Sequence, residues 1–347
     1  MAIQDIRNIA LCGHGSSGKT TLVDQMLVNS GMNASPSVDD GTSICDFDPE
    51  EKSHQYTIES TVVGFNNGGK QYNVIDTPGY PDFIGQTIGS LAGVDTAVVV
   101  INAQSGIEVN TRRVFDEAGN LGLGRIVCIN KMDADNIDFD ALVSGIQEMW
   151  GNKCVLLNVP VGHGADFSGV ISTLDVPDDT SGALVDPSEI SEPLIESIIE
   201  VDEDMMMRYF EGEKPSKEEL SKLIVQAVAE GSLVPIVCSS GKANIGVDQI
   251  LEVVGVCGLS PADRSISATK GEDTIEVTAN ASGDLVAQVF KTRIDPFVQK
   301  LSFIRVFSGT LKKDATVECS SSRKPVKIGQ LLKVNADQTE NVDSAGP

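Results

Sequence analysis

The sequence predicts an α/β domain, a mostly parallel sheet with helices on both faces, that carries an inserted subdomain and is followed by a small β-barrel. Three observations predict it. Uninterrupted apolar stretches, TAVVVI (96–101) and RIVCIN (125–130), alternate with stretches of helical spacing, the pattern of strands covered on both faces. A glycine-rich run, GHGSSGKT (13–20), lies between a strand-like and a helix-like segment. After LSPADR (259–264) the helical periodicity disappears, and short alternating segments divided by turn residues replace it.

The elements follow in order. IRNIALC (6–12) reads as a buried strand, and TLVDQMLVNS as a helix stopped by Gly31. Residues 32–58 are polar with few apolar anchors and are expected to form a long mobile loop. STVVGF and KQYNVID flank the turn residues NNGG, which predicts a hairpin. Helical spacing over 108–121 supplies the right-handed crossover between the two apolar strands. Phe139–Trp150 is a further helix, VPIVC (234–238) a further strand, and 247–257 the helix after it. Residues 160 to about 232 break this rhythm with the acidic loop DVPDDTSG and the charged helical stretch KPSKEELSKLIVQAVAE. They are expected to form an inserted subdomain within a first domain of residues 1–265. LVAQVFKTR, KLSFIRVFSG, ATVECSS and PVKIGQLLKV read as strands of a β-barrel over 266–347, incomplete at its C-terminal end.

Composition narrows the function classes. At 347 residues, 41% hydrophobic and 22% charged, the chain has the make-up of a soluble protein of two or three domains. It has no apolar run long enough to cross a membrane, and its first residues lack the pattern of a secretory signal. A formal charge of −24 argues against broad attraction to nucleic acid, so any RNA contact is expected to be local or to lie elsewhere in a longer protein. Seven dispersed cysteines without a CxxC pair read as reduced thiols of a cytosolic protein. Three histidines, none at ligand spacing, argue against a zinc site.

GHGSSGKT matches GxxxxGK[ST] in the strand–loop–helix context that this motif needs. Gly13, Gly15 and Gly18 let backbone N–H groups turn inward on phosphate oxygens, so His14, Gly15, Ser16, Ser17, Gly18, Lys19, Thr20 and Thr21 are the candidate phosphate cradle. The helix N-terminus adds its positive end, Lys19 reaches the β- and γ-oxygens, and the Thr20 hydroxyl is a Mg2+ ligand. NKMD (130–133) follows an apolar strand about 110 residues beyond the cradle. Asp133 can accept from guanine N1–H and its exocyclic amine, two donors that adenine does not present together. Asn130 can tie the base to the cradle, and the Lys131 stem can cover the base. Ser239, Ser240 and Gly241 stand where backbone contact to the base is expected. Asp76 ends a strand and is placed to hold Mg2+, Gly79 to direct its N–H at the γ-phosphate, and Thr57 to close over the metal when a third phosphate is present. GTP or GDP with Mg2+ is therefore the expected ligand.

Read together and in this order, the phosphate loop, YTI, DTPGYPDF, NKMD and CSSGK resemble the translational GTPases, specifically the elongation factor G family. SVDDGTSICDFDPEE resembles that family's first switch, RYFEGEKPSKEEL its inserted subdomain, and VFKTRIDPFVQKLSFIRVFSGTL the signature of its second domain, so the resemblance spans nearly the whole chain. It implies a P-loop GTPase fold, ribosome-stimulated GTP hydrolysis coupled to tRNA and mRNA translocation, ribosomal RNA and stalk proteins as partners, a monomer, and the bacterial cytoplasm. Because the family continues with further domains, the sequence is expected to be an N-terminal portion. Three motifs depart from the family pattern: Gly15 and Ser16 stand for Ile and Asp of AHIDAGKT, Tyr80 for the catalytic histidine of DTPGH, and QYTI for RGITI. The first two resemble a divergent elongation-factor-G-like branch.

Lys19, Gly79 and Tyr80 are thus the candidate catalytic residues. Tyr80 can hold the attacking water through its one hydroxyl, or pack as an aromatic plug in the space Gly15 leaves. Two alternatives to a translocase are a GTP-gated ribosome-binding paralogue with slow hydrolysis and a ribosomal protection factor.

Overall fold

The computed structural model describes residues 1–32, 34–270, 272–295, 299–320, 322 and 324–347. Position 33 of the 32–58 loop, 296–298 of the second-domain signature and 321 of ATVECSS lie outside the described residues. The chain runs β1 (Ile6–Gly13), α1 (Lys19–Asn29), α2 (Pro49–His54), β2 (Thr61–Asn67), β3 (Lys70–Asp76), α3 (Ile84–Leu91), β4 (Thr96–Asn102), α4 (Val109–Asn120), β5 (Gly124–Asn130), α5 (Phe139–Trp150), β6 (Cys154–Leu156), β7 (Asn158–Val161), β8 (Gly169–Ser172), α6 (Pro187–Ile199), α7 (Glu203–Phe210), α8 (Lys217–Glu230), β9 (Val234–Cys238) and α9 (Val247–Cys257). The remaining elements are strands: β10 (Ser265–Lys270), β11 (Asp273–Thr278), β12 (Val286–Asp295), β13 (Gln299–Ser308), β14 (Leu311–Lys312), β15 (Thr316–Val317), β16 (Val326–Lys327), β17 (Leu332–Asn335), β18 (Gln338–Asn341) and β19 (Ser344–Ala345).

Seven strands form one sheet in the order β2-β3-β1-β4-β5-β9-β6. Only the β2–β3 hairpin is antiparallel; β3–β1, β1–β4, β4–β5, β5–β9 and β9–β6 are parallel. Because crossover helices cover both faces, the central strands are buried throughout: Ala97 to Ile101 are fully inaccessible. One face packs Leu22, Met26, Ile224, Val228, Ile250 and Val254 from α1, α8 and α9, and the other packs Val114, Phe115, Leu142 and Ile146 from α4 and α5. Residues 158–230 add the separate β7–β8 pair and the helices α6 to α8.

The expected mobile loop over 32–58 needs correction. It contains α2, whose start carries a reciprocal capping box between Asp48 and Glu51 with Pro49 at the first turn. Its flanks are held: Cys45, Asp46 and Glu51 are buried, Ile44 N–H donates to Asp24 Oδ1 at 3.1 Å, and the Thr61 hydroxyl donates to the Cys45 carbonyl at 3.0 Å. A second element that the sequence reading passed over is the β10–β11 hairpin. Its residues are mostly exposed, and its alternation is short, Ile266 and Ala268 on one strand and Ile275 and Val277 on the other.

The β-rich segment docks on the sheet at three places. Ala336 N–H donates to the Val62 carbonyl at 2.8 Å, and Asn335 Oδ1 accepts from Gly64 N–H at 3.0 Å, so the β17–β18 turn covers the edge strand β2. Arg305 on β13 donates to both carboxylate oxygens of buried Asp95, at 3.1 and 2.9 Å, where Asn8 also donates at 2.8 Å. Lys291 on β12 reaches Glu59 and Ser60, just before β2.

Candidate functional site

The carboxyl ends of β1, β3 and β5, together with the loop before β2, bring the candidate residues together, as expected for ligands of open α/β sheets. At the start of α1 the Thr20 hydroxyl donates to Asp76 Oδ2 at 2.7 Å and lies 2.9 Å from the Thr57 hydroxyl. The three residues expected at a cation thus meet from three segments 37 and 56 residues apart along the chain. Lys19 is only 5% exposed, and its ammonium donates to the His14 carbonyl at 2.8 Å. The Ser17 hydroxyl donates to the same carbonyl at 3.0 Å, and His14 itself faces Glu108 across 3.4 Å. Ser16 has a positive φ of 60°, which turns the loop at its exposed tip, and Thr21 lies half-buried in the first turn of α1.

The site holds a carboxylate excess. Burial drives Asp76 well above the ordinary carboxylate range, with neighbouring Asp46 adding to the rise. Asp46 is pushed up by its own burial, the Thr57 hydroxyl pulls the other way, and Asp24 adds to the rise. Burial lowers Lys19, while Asp76 supports its charged form. Asp76 Oδ1 is buried with no hydrogen-bond partner among the described residues, and the buried Asp46 carboxylate lies beside the Thr57 hydroxyl. Buried carboxylate oxygens without donors are costly, and hard oxygen donors beside two hydroxyls suit a divalent cation such as Mg2+. The residues therefore fit the group. Among the described residues no cluster of three or more His, Cys, Asp or Glu is placed to hold a metal alone. Sequence reasoning missed Asp46, which sits in the segment read as a loop; its buried flanks are set by contacts with α1 and β2, not by a motif.

The loop after Asp76 is held from three sides. The Thr77 hydroxyl donates to the Leu11 carbonyl at 2.7 Å, Thr87 to the Pro78 carbonyl at 2.8 Å, and Asn110 Nδ2 to the Gly79 carbonyl at 2.8 Å. Asn110, buried on α4, is a second residue that the sequence did not disclose. Gly79 packs so closely on the cradle that a Cβ there would come within 2.6 Å of Gly15 N and collide with the Lys19 ammonium. Tyr80 follows at 37% exposure. Its ring lies on Gly15, where an added Cβ would stand 3.2–3.3 Å from three ring carbons, and it meets Tyr56 edge-on at 4.9 Å. Tyr56 also stacks on His54 and leans on Phe83. The Tyr80 hydroxyl makes no hydrogen bond among the described residues.

At the base end, Asn130 Nδ2 donates to the Ser17 carbonyl at 2.9 Å, which joins NKMD to the cradle. Its Oδ1 accepts from Gly241 N–H at 2.9 Å and from the Ser239 hydroxyl at 3.2 Å. Lys131 takes a left-handed φ of 65°, and Asp133 Oδ1 is a buried acceptor without a partner among the described residues. The N–H groups of Ser239, Ser240 and Gly241 donate to the Ile129 carbonyl, the Ile245 carbonyl and Asn130 Oδ1, and Ser239 and Gly241 hold Asn130 in place.

Comparison with known proteins agrees with this geometry. Residues 4–257 match the elongation factor Tu GTP-binding domain family, and residues 284–347 match elongation factor G domain 2. A crystal structure of a protein from Thermus thermophilus is similar with a TM-score of 0.84 and 29% identity, covering 99% of this chain and 51% of that one. The chain thus spans about half the length of that relative. By its own matched length and by the arrangement above, the chain belongs to the elongation factor Tu GTP-binding domain family and is an elongation-factor-G-like translational GTPase.

Proposed function

We propose that the chain binds GTP with Mg2+ and hydrolyses it as a ribosome-dependent translation factor, with Lys19, Gly79 and Tyr80 nearest the terminal phosphate. The meeting of Thr20, Thr57 and Asp76 beside buried Lys19 carries this reading. A divalent cation there would be held by Thr20, Thr57 and Asp76, with Asp46 behind them, and would neutralise charge on the β- and γ-oxygens. Lys19 leaves the His14 carbonyl for the phosphates, and Gly79 N–H faces the γ-phosphate because Asn110 fixes its carbonyl on the other side. In hydrolysis a water oxygen attacks the terminal phosphorus, the bond to the bridging oxygen breaks, and GDP and phosphate leave. Asp133 accepts from guanine while Asn130 keeps the loop in register with the cradle. On the ribosome the full-length protein would couple this reaction to movement of tRNA and mRNA, acting as a monomer in the cytoplasm.

The free Tyr80 hydroxyl and the packing of its ring on Gly15 favour a second reading, a GTP-gated ribosome-binding factor with slow hydrolysis. Multiple-turnover phosphate release with and without ribosomes separates the two. Ribosome stimulation that persists in Tyr80→Phe supports a packing role, and stimulation lost in Tyr80→Phe supports a hydroxyl that holds water. No release under either condition sinks the hydrolase reading.

A further inference from the structure

The second-domain strand β12 reaches the segment that closes over the candidate metal. Lys291 is almost fully buried, yet its ammonium is satisfied: it lies 3.0 Å from Glu59 Oε2, donates to the Ser60 carbonyl at 2.5 Å and sits 5.3 Å over the Phe303 ring. Two residues on, Arg293 lies over the Phe47 ring at 5.0 Å and 4.0 Å from the same Glu59 carboxylate. Phe47 is next to Asp46, and Glu59 is two residues after Thr57. Both flanks of the closing segment therefore touch β12. Ser60 is also where the helix after DTPGYPDF arrives, because the Ser90 hydroxyl on α3 donates to the Ser60 hydroxyl at 2.7 Å.

A buried ammonium needs its partners, so with the second domain docked Lys291 holds Glu59 and Ser60 in place. Extended chain spans about 3.5 Å per residue, so Thr57 stays within about 7 Å of pinned Glu59. Glu51 Oε1 also accepts from Ile58 and Glu59 N–H, at 2.9 and 3.0 Å, so the second domain, through Lys291, shares with Glu51 the hold on the residues that follow Thr57.

We propose that Lys291 is a positioning residue of the nucleotide site: through Glu59 and Ser60 it holds Thr57 against Thr20 and Asp76, so preference for GTP over GDP depends on the docked second domain. This rests on the reading of Thr57 as the closing ligand given above. Only a nucleotide with a third phosphate draws on Thr57, so the effect falls on GTP and leaves GDP nearly untouched.

The test uses the 347-residue chain with fluorescent GDP and a fluorescent non-hydrolysable GTP analogue, titrated across Mg2+ concentration. Lys291→Met, which keeps the stem and removes the charge, is expected to weaken GTP-analogue binding about tenfold and to change GDP binding less than about twofold. Lys291→Arg restores most of the preference. Glu59→Gln, which keeps the shape of the half-exposed side chain and removes its charge, reproduces the Met phenotype. Equal weakening of both nucleotides, or an unchanged GTP-to-GDP ratio in Lys291→Met and Glu59→Gln, overturns the proposal. If the unaltered chain binds neither nucleotide, the proposed function itself falls, and this inference with it.

Discussion

Asp24 tests the electrostatics of the site without touching a phosphate or a candidate cation ligand. It lies on α1, 1% exposed, with Oδ1 accepting from Ile44 N–H and Oδ2 without a partner among the described residues. Burial raises its pKa from 3.8 to about 6, although the Ser43 and Ile44 hydrogen bonds pull the other way. At 1.36 kcal/mol per pH unit, keeping Asp24 ionised costs the fold about 3 kcal/mol at pH 7.5. The folded pKa lies above the unfolded one, so the stability it contributes is fully present below 3.8 and is lost as pH rises through about 6. Asp24→Asn keeps an acceptor for Ile44 and removes the charge. Allowing about 1 kcal/mol for the weaker hydrogen bond, the variant is expected to be about 2 kcal/mol more stable at pH 7.5. It should also lose roughly 1.4 kcal/mol of the gain that the unaltered chain shows between pH 7.5 and pH 5. Urea unfolding of the nucleotide-free chain in EDTA measures this, followed by the fluorescence of the single tryptophan, Trp150, which stacks on Phe115 within the same sheet domain. A variant less stable than the parent at pH 7.5, or an unchanged pH slope, refutes the reasoning.

Three further outcomes are expected. Asp133→Asn exchanges an acceptor for a donor at the base, so binding shifts from guanosine to xanthosine triphosphate by about tenfold or more; competition binding checks it, and unchanged GTP affinity counts against guanine recognition. Gly15→Ile places a branched side chain into the Tyr80 ring and is expected to weaken nucleotide binding, less so with Tyr80→His; a coupling below about 0.5 kcal/mol in that double-mutant cycle would mean the two positions are independent. Arg305→Met leaves Asp95 buried with Asn8 and the more distant Arg264, at a cost of about 3 kcal/mol; calorimetry should show the β-rich segment melting earlier, and an unmoved transition argues against this ion pair as a docking contact.

What could be read from the sequence depended on how local its cause is. The phosphate cradle, DTPG and NKMD are contiguous because each must wrap backbone around one part of a ligand, and each sits at a strand end that announces itself by apolar composition. The capping box of α2 was equally local, D-P-E-E, but the polar character of 32–58 obscured it. Asp46, Asn110 and Lys291 had no such signature. Asp46 is buried because α1 and β2 hold its flanks, Asn110 because α4 passes behind Gly79, and Lys291 because β12 docks from more than 230 residues away. Ser239 to Gly241 illustrate the converse: their position was legible, but the direction of their N–H groups depended on Asn130 and the 240–245 turn.

By itself the sequence determined the fold class and the guanine-nucleotide motifs, since these are matters of periodicity and of residues adjacent in the chain, and its resemblance to the elongation factor G family marked Tyr80 as a departure. Tertiary structure alone decided that the Tyr80 ring lies on Gly15, that buried carboxylates gather near Lys19, and that Lys291 of the second domain pairs with Glu59, two residues from Thr57. Those depend on which distant surfaces exclude water together, and burial is a property of the packed molecule that no short stretch of chain encodes.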